Sequence, residues 1–70
     1  MEMQYIESRA LEQMGYDEAN SELHVVFKNG RRCIYSGVPR HIWDGMINAE
    51  SRGGYLDANV KKPGYRFRYE

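Results

Sequence analysis

Apolar and polar residues alternate most clearly between positions 23 and 35, where Leu23, Val25 and Phe27 lead in and Cys33 and Tyr35 lead out. Strict alternation is the mark of a strand with one buried face. The Asn29-Gly30 pair between the two runs predicts a hairpin, because these residues tolerate the positive φ of a tight turn. The register follows from the pattern. A two-residue loop would set Phe27 against Arg32 and turn Cys33 and Tyr35 away from the apolar side of the first strand. A three-residue loop of Lys28, Asn29 and Gly30 instead pairs Phe27 with Arg31, Val25 with Cys33 and Leu23 with Tyr35. Because a slip of one residue reverses every side chain, the three-residue loop is expected, with only Val26 and Ile34 left on the other face.

Around this hairpin the pattern predicts further elements. Met3 to Ile6 reads as an extended lead-in whose Tyr5 and Ile6 cover one end of the sheet. Residues 10–16 contain Leu11, Met14 and Tyr16 and read as a strand, bulged near Gly15 because glycine weakens a strand interior and often marks a bulge. The polar stretch Asp17 to Ser21 turns it back onto the Glu22–Phe27 strand. Pro39 opens a helix at its first position. Through Glu50 the residues Ile42, Trp43, Met46 and Ile47 form one apolar stripe. Ser51 caps a second short helix bearing Tyr55, Leu56 and Val60, which Pro63-Gly64 ends. Tyr65 to Tyr69 alternates again and reads as a short extended piece. The expected fold is α+β: a three-stranded antiparallel meander, with the tail as a candidate fourth strand, packed on one face by a longer and a shorter helix. Residues 1–70 form one domain, a length at which only about 60% of the unfolded surface is buried.

Composition narrows the class. The single cysteine, Cys33, excludes an internal disulfide and fits a reducing, cytoplasmic compartment. It lies on the predicted core face and reads as a small buried hydrophobe. No apolar run is long enough for a signal peptide or a membrane span. Net charge is zero, yet it is segregated: residues 1–27 carry six acids against Arg9, and residues 28–70 carry nine bases against Asp44, Glu50, Asp57 and Glu70. Such asymmetry points to a partner-binding face or to a dipolar surface that neutralises itself.

Catalysis is not expected. It needs a base and a nucleophile, or a metal, within reach of one another. The only histidines are His24, expected to project into solvent from the face opposite Val25, and His41, beside the Trp43 stripe. Neither has acidic or cysteine neighbours at metal-ligand spacing, and two histidines alone make a poor zinc site. Arg52-Gly53-Gly54 lacks the strand and lysine of a phosphate-binding loop. No cofactor or metal is therefore expected.

Two binding classes remain. Candidate residues are Arg31 and Arg32 at the hairpin tip, Arg52 at the Gly-Gly bend, and Lys61, Lys62, Tyr65, Arg66, Arg68 and Tyr69 in and before the tail. Arginines contact phosphates and aromatics stack on unpaired bases, a combination suited to RNA or single-stranded DNA. The same alternation also describes an edge strand with aromatics packed inward and arginines blocking edge pairing. If the tail folds back along the sheet toward the hairpin tip, the two basic clusters merge. A protein-interaction module, monomeric or weakly homodimeric, with the tail added to a partner's sheet, is the preferred reading. Nucleic-acid binding is the alternative.

The ordered set Ser8, Met14-Gly15-Tyr16-Asp17, Leu23-x-Val25-x-Phe27, Asn29-Gly30, Tyr35-Ser36-Gly37-Val38-Pro39, Ala49-x-Ser51-x-Gly53-x-Tyr55 and Asn59 resembles the KTSC domain. This small bacterial and phage module is named for its occurrence at the C-terminus of certain lysyl-tRNA synthetases. The likeness runs from about Ile6 to Tyr65, with Cys33 and Leu56 standing where the family often has aromatics. It implies the fold of a stand-alone short protein. Its link to tRNA chemistry bears on nucleic acid only by association.

Overall fold

The computed structural model describes residues 1–70. Five antiparallel strands form one sheet in the order β1-β2-β3-β4-β5: β1 (Met3–Tyr5), β2 (Leu11–Asp17), β3 (Glu22–Phe27), β4 (Arg32–Tyr35) and β5 (Phe67–Tyr69). Helices α1 (Arg40–Ile47) and α2 (Arg52–Leu56) follow β4, and α2 runs on into a π-helical turn, Asp57–Lys61. The architecture is α+β as the pattern predicts. The sheet, however, has five strands rather than three with a possible fourth, because both chain ends pair with it. No helix is long and apolar enough to cross a membrane.

The central hairpin adopts the three-residue loop. Leu23 pairs with Tyr35 and Val25 with Cys33, and the Phe27 amide donates to the Arg31 carbonyl at 2.8 Å. Gly30 has φ +88°, a value strained for any residue with a β-carbon, and Asn29 Oδ1 accepts from the Arg31 amide at 3.0 Å. This register sends Leu23, Val25, Cys33 and Tyr35 to one face, where they join Leu11 and Met14 of β2. Helix α1 lays Trp43 and Met46 on that face, and the second helical segment adds Leu56 and Val60. Trp43 stacks on Tyr16 with ring centroids 6.0 Å apart, and the Tyr16 hydroxyl donates to the Val38 carbonyl at 2.6 Å. Sheet, helix and the connection between them are thereby pinned at one point.

Several expectations are corrected. The bulge in β2 lies between Leu11 and Gln13, not at Gly15. Gly15 is required by space: β1 crosses it, and a β-carbon there would press on Met3 Sδ and the Glu2 carbonyl. Tyr5 is 79% exposed and covers nothing; Ile6 packs on the core. Pro39 is the extended N-cap residue rather than the first helical one, and α1 ends at Ile47, three residues before Glu50. Gly53 and Gly54 lie inside α2, their poor propensity offset by Ser51, whose Oγ accepts from the Gly54 amide at 3.1 Å.

His24 is the largest correction. It does lie opposite the core face, but it is only 8% exposed, and Val26 and Ile34 beside it are 8% and 0% exposed. No second layer covers this outer face. Arg68 of β5 reaches across β4 to Glu22 of β3, 3.0 Å away. It spans two strand spacings, about 10 Å, starting from the position opposite Ile34.

Two measurements check this account of the fold. Gly30→Val is expected to lower stability by more than about 1 kcal/mol in chemical denaturation, because a β-branched residue is strained at that φ. Trp43→Ala is expected to cost about 3–5 kcal/mol.

Candidate functional site

The tail and the hairpin tip meet. Strand β5 runs antiparallel to β4 with Cys33 opposite Tyr69, and the Glu70 amide donates to the Arg32 carbonyl at 2.9 Å. The alternating tail thus lays Phe67 and Tyr69 on the helix side of the sheet. There they border a groove of about 370 Å³ lined by Tyr35, Lys61, Gly64, Tyr65, Phe67 and Tyr69. Tyr35 and Phe67 sit with centroids 5.9 Å apart, and Phe67 meets Tyr69 edge-on at 5.8 Å. Phe67 and Tyr69 nevertheless remain 55% and 53% exposed and are accessible to a partner. Burial pushes the Tyr35 phenol up, as does its neighbour Cys33, and the ring stays neutral at physiological pH. Burial likewise raises the Cys33 thiol, which fits a core residue rather than a reactive one.

Two cations flank these rings. The Arg31 guanidinium lies 4.1 Å from the centroid of Tyr69, and Lys61 Nζ lies 5.2 Å from that of Phe27. Lys61 owes its place to the π-helical turn, in which the Lys62 amide donates to the Asp57 carbonyl five residues back. Lys61 also pairs with Asp57 at 3.4 Å.

The other candidate bases are not brought together here. Arg32 and Arg68 project from the opposite face of the sheet, where Arg32 meets Glu70 at 3.7 Å and Arg68 meets Glu22 at 3.0 Å. Lys62 and Arg66 are exposed and carry no ion pair. Arg52 belongs to a separate polar groove between residues 7–10 and 50–54. Its Nη2 donates to the Ile47 carbonyl at 3.1 Å and so caps the end of α1. One merged positive face does not form. Instead, Arg31 and Lys61 gather by the aromatics, Arg32 and Arg68 are paired behind the sheet, and Arg52 lies apart.

The edge of β5 adds a second feature. The Glu70 amide donates to Arg32 of β4, and the Arg66 carbonyl accepts from Ser36, the residue just after β4. Backbone groups alternate in direction along an antiparallel strand, so those of Phe67 and Tyr69 point away from the sheet. The residues whose rings border the groove therefore also offer unpaired backbone donors and acceptors, since β5 is the last strand of the sheet.

Sequence reasoning missed Tyr35 as part of the groove, since it read as core. It also missed Asp17, Glu22 and His24, whose ligand-type atoms all lie within 4.8 Å of one another. The available signal was the two-residue spacing of Glu22 and His24 on a strand, which puts them on one face; Asp17 joins them only through strand pairing.

A five-stranded antiparallel meander closed on one face by a helical pair, with an aromatic groove beside its last strand, defines a small α+β domain. The profile of the KTSC domain matches residues 7–65, and the chain belongs to that family. It is 39% identical over 66 residues to a protein from Tsukamurella paurometabola, covering 94% of both chains. It is 29% identical over 62 residues to an uncharacterised protein from Stutzerimonas stutzeri, covering 89% of this chain and 87% of that one. The crystal structure of a KTSC domain protein from Yersinia pestis superposes with a TM-score of 0.87 at 28% identity, over 99% of this chain and 96% of the other.

The pair behind the sheet has a pH signature. The Arg68 hydrogen bond holds the Glu22 carboxyl below its ordinary value. A depressed carboxylate stabilises the fold above its unfolded value, and the contribution is lost as pH falls through the folded one. The Glu22 carboxyl is thus expected to titrate below the ordinary glutamate value of about 4.3 in a carbon-detected NMR titration. In Arg68→Ala the midpoint is expected to move back up.

Proposed function

We propose that this protein is a small peptide-binding module that accepts an extended, acidic segment of a partner protein along the edge of β5. The observation that carries this reading is the coincidence at Phe67 and Tyr69 of unpaired strand backbone with exposed aromatic rings lining a groove. An added strand gains affinity from main-chain hydrogen bonds and specificity from pockets that take alternate side chains. Arg31 and Lys61 beside the rings, with Lys62 and Arg66 exposed nearby, favour carboxylates on the incoming chain.

Nucleic-acid binding is the weaker reading. Arg32 and Arg68 are paired with carboxylates on the other face, one face of Tyr69 already carries Arg31, and net charge is zero. Phosphate affinity depends on free cations, and base stacking on free ring faces.

Selection from a displayed library of random peptides about ten residues long separates the two. Binders are expected to alternate apolar and acidic residues and to shift the backbone amide resonances of Phe67 and Tyr69. Tyr69→Ala, at an exposed position, is expected to weaken a selected peptide about tenfold without loss of fold. If no peptide perturbs β5 while a short oligouridylate or oligothymidylate binds there with a steep salt dependence, the nucleic-acid reading replaces this one.

A further inference from the structure

We propose that Asp17, Glu22 and His24 form a binding site for a first-row divalent transition ion, of which zinc is the natural probe, on the outer face of the sheet. The three side chains share that face by pairing. Asp17 stands opposite Glu22 across β2 and β3, and His24 lies two residues further along β3, opposite Gly15. Their ligand-type atoms lie within 4.8 Å of one another.

The imidazole itself points to a ligand. His24 is 8% exposed, and neither ring nitrogen has a hydrogen-bond partner. A buried polar group left unpaired is costly, and native structures seldom tolerate one without a reason. The ring is aimed into the cluster, with Nε2 3.7 Å from Glu22 Oε1. That separation is too long for a hydrogen bond. It is close to the spacing of about 3.4 Å between two donors on a tetrahedral ion whose bonds are about 2.0–2.1 Å long.

The surrounding groups leave these donors available. Arg68 Nη1 donates to Oε2 of Glu22 and leaves Oε1 turned toward His24. Asp17 accepts from the Asn20 amide at 3.3 Å and from Asn20 Nδ2 at 2.9 Å. These bonds orient the carboxylate, and each of its oxygens keeps a lone pair. Both carboxyls are held below their ordinary values, Asp17 chiefly by the Asn20 side chain and Glu22 chiefly by Arg68, so they are ionised at neutral pH as metal ligands must be. Two carboxylates against one guanidinium leave the cluster net negative. One imidazole with two carboxylates suits zinc and its neighbours better than magnesium or calcium, which favour all-oxygen shells. Three protein donors also leave one tetrahedral position for water or for a carboxylate from outside.

The test is titration of the full chain with zinc sulfate, followed by calorimetry and by the ring-proton resonances of the two histidines. One equivalent of zinc is expected to bind, to shift the signals of His24 but not of His41, and to raise the melting temperature, because an ion that binds only the folded state stabilises it. Asp17→Asn, which leaves the Glu22–Arg68 pair intact, and Glu22→Gln are each expected to weaken binding by about ten- to a hundredfold. Arg68→Ala, which removes the competing cation, is expected to bind zinc at least as tightly. The proposal is overturned if zinc leaves the His24 resonances unmoved, if it binds at His41 instead, or if Asp17→Asn and Glu22→Gln, folded by their amide spectra, bind it as the natural chain does.

Discussion

Gly30 closes the β3–β4 hairpin in a left-handed conformation, and every other part of the molecule depends on the register this imposes. With three loop residues, Leu23, Val25, Cys33 and Tyr35 fall on one face and make a surface apolar enough to recruit both helical segments. One residue fewer would divide that surface between two faces. A chain of this length has no second core to fall back on. The hairpin also decides where Arg31 points, and therefore which cation lies over Tyr69.

The two faces of the sheet handle charge in different ways. On the helix side, Arg31 stands over the Tyr69 ring, which attracts it without neutralising it. On the outer side, Arg68 and Arg32 are paired with Glu22 and Glu70. On that side His24, Val26 and Ile34 are buried, and an imidazole lies beside two carboxylates. The acidic first half of the chain and the basic second half meet through Arg68–Glu22 across the sheet and through Arg40–Glu18.

Membership of the KTSC family and a superposition at a TM-score of 0.87 define the fold. Function must be argued from the sites that a fold carries. In this chain the features open to a partner cluster around β5: the exposed rings and the unpaired strand edge belong to Phe67 and Tyr69, which also line the groove. A short edge strand with arginines around it resists indiscriminate pairing. The same strand accepts a specific one where side chains on both partners agree.

How much of this was written in the order of residues depends on the range of the interaction concerned. The hairpin register, the α1 stripe with Trp43 and Met46, the Ser51 cap and the extended tail all rest on local chemistry: alternation, turn residues and capping groups lie within a few positions of what they control. The likeness to the KTSC family was legible for the same reason, as an ordered string of such local signals. The position of Gly15 was misread because its cause is β1, twelve residues earlier in the pairing with Met3. The outer face was misread because Arg68 acts on Glu22 from 46 residues away. Lys61 enters the aromatic groove through a π-helical turn that no spacing rule announces. Asp17, Glu22 and His24 become one cluster only when β2 pairs with β3. Short-range preferences select the elements, but which charges meet, and which polar groups are left buried between them, is set by strand pairing across the chain, and that exists only in the folded molecule.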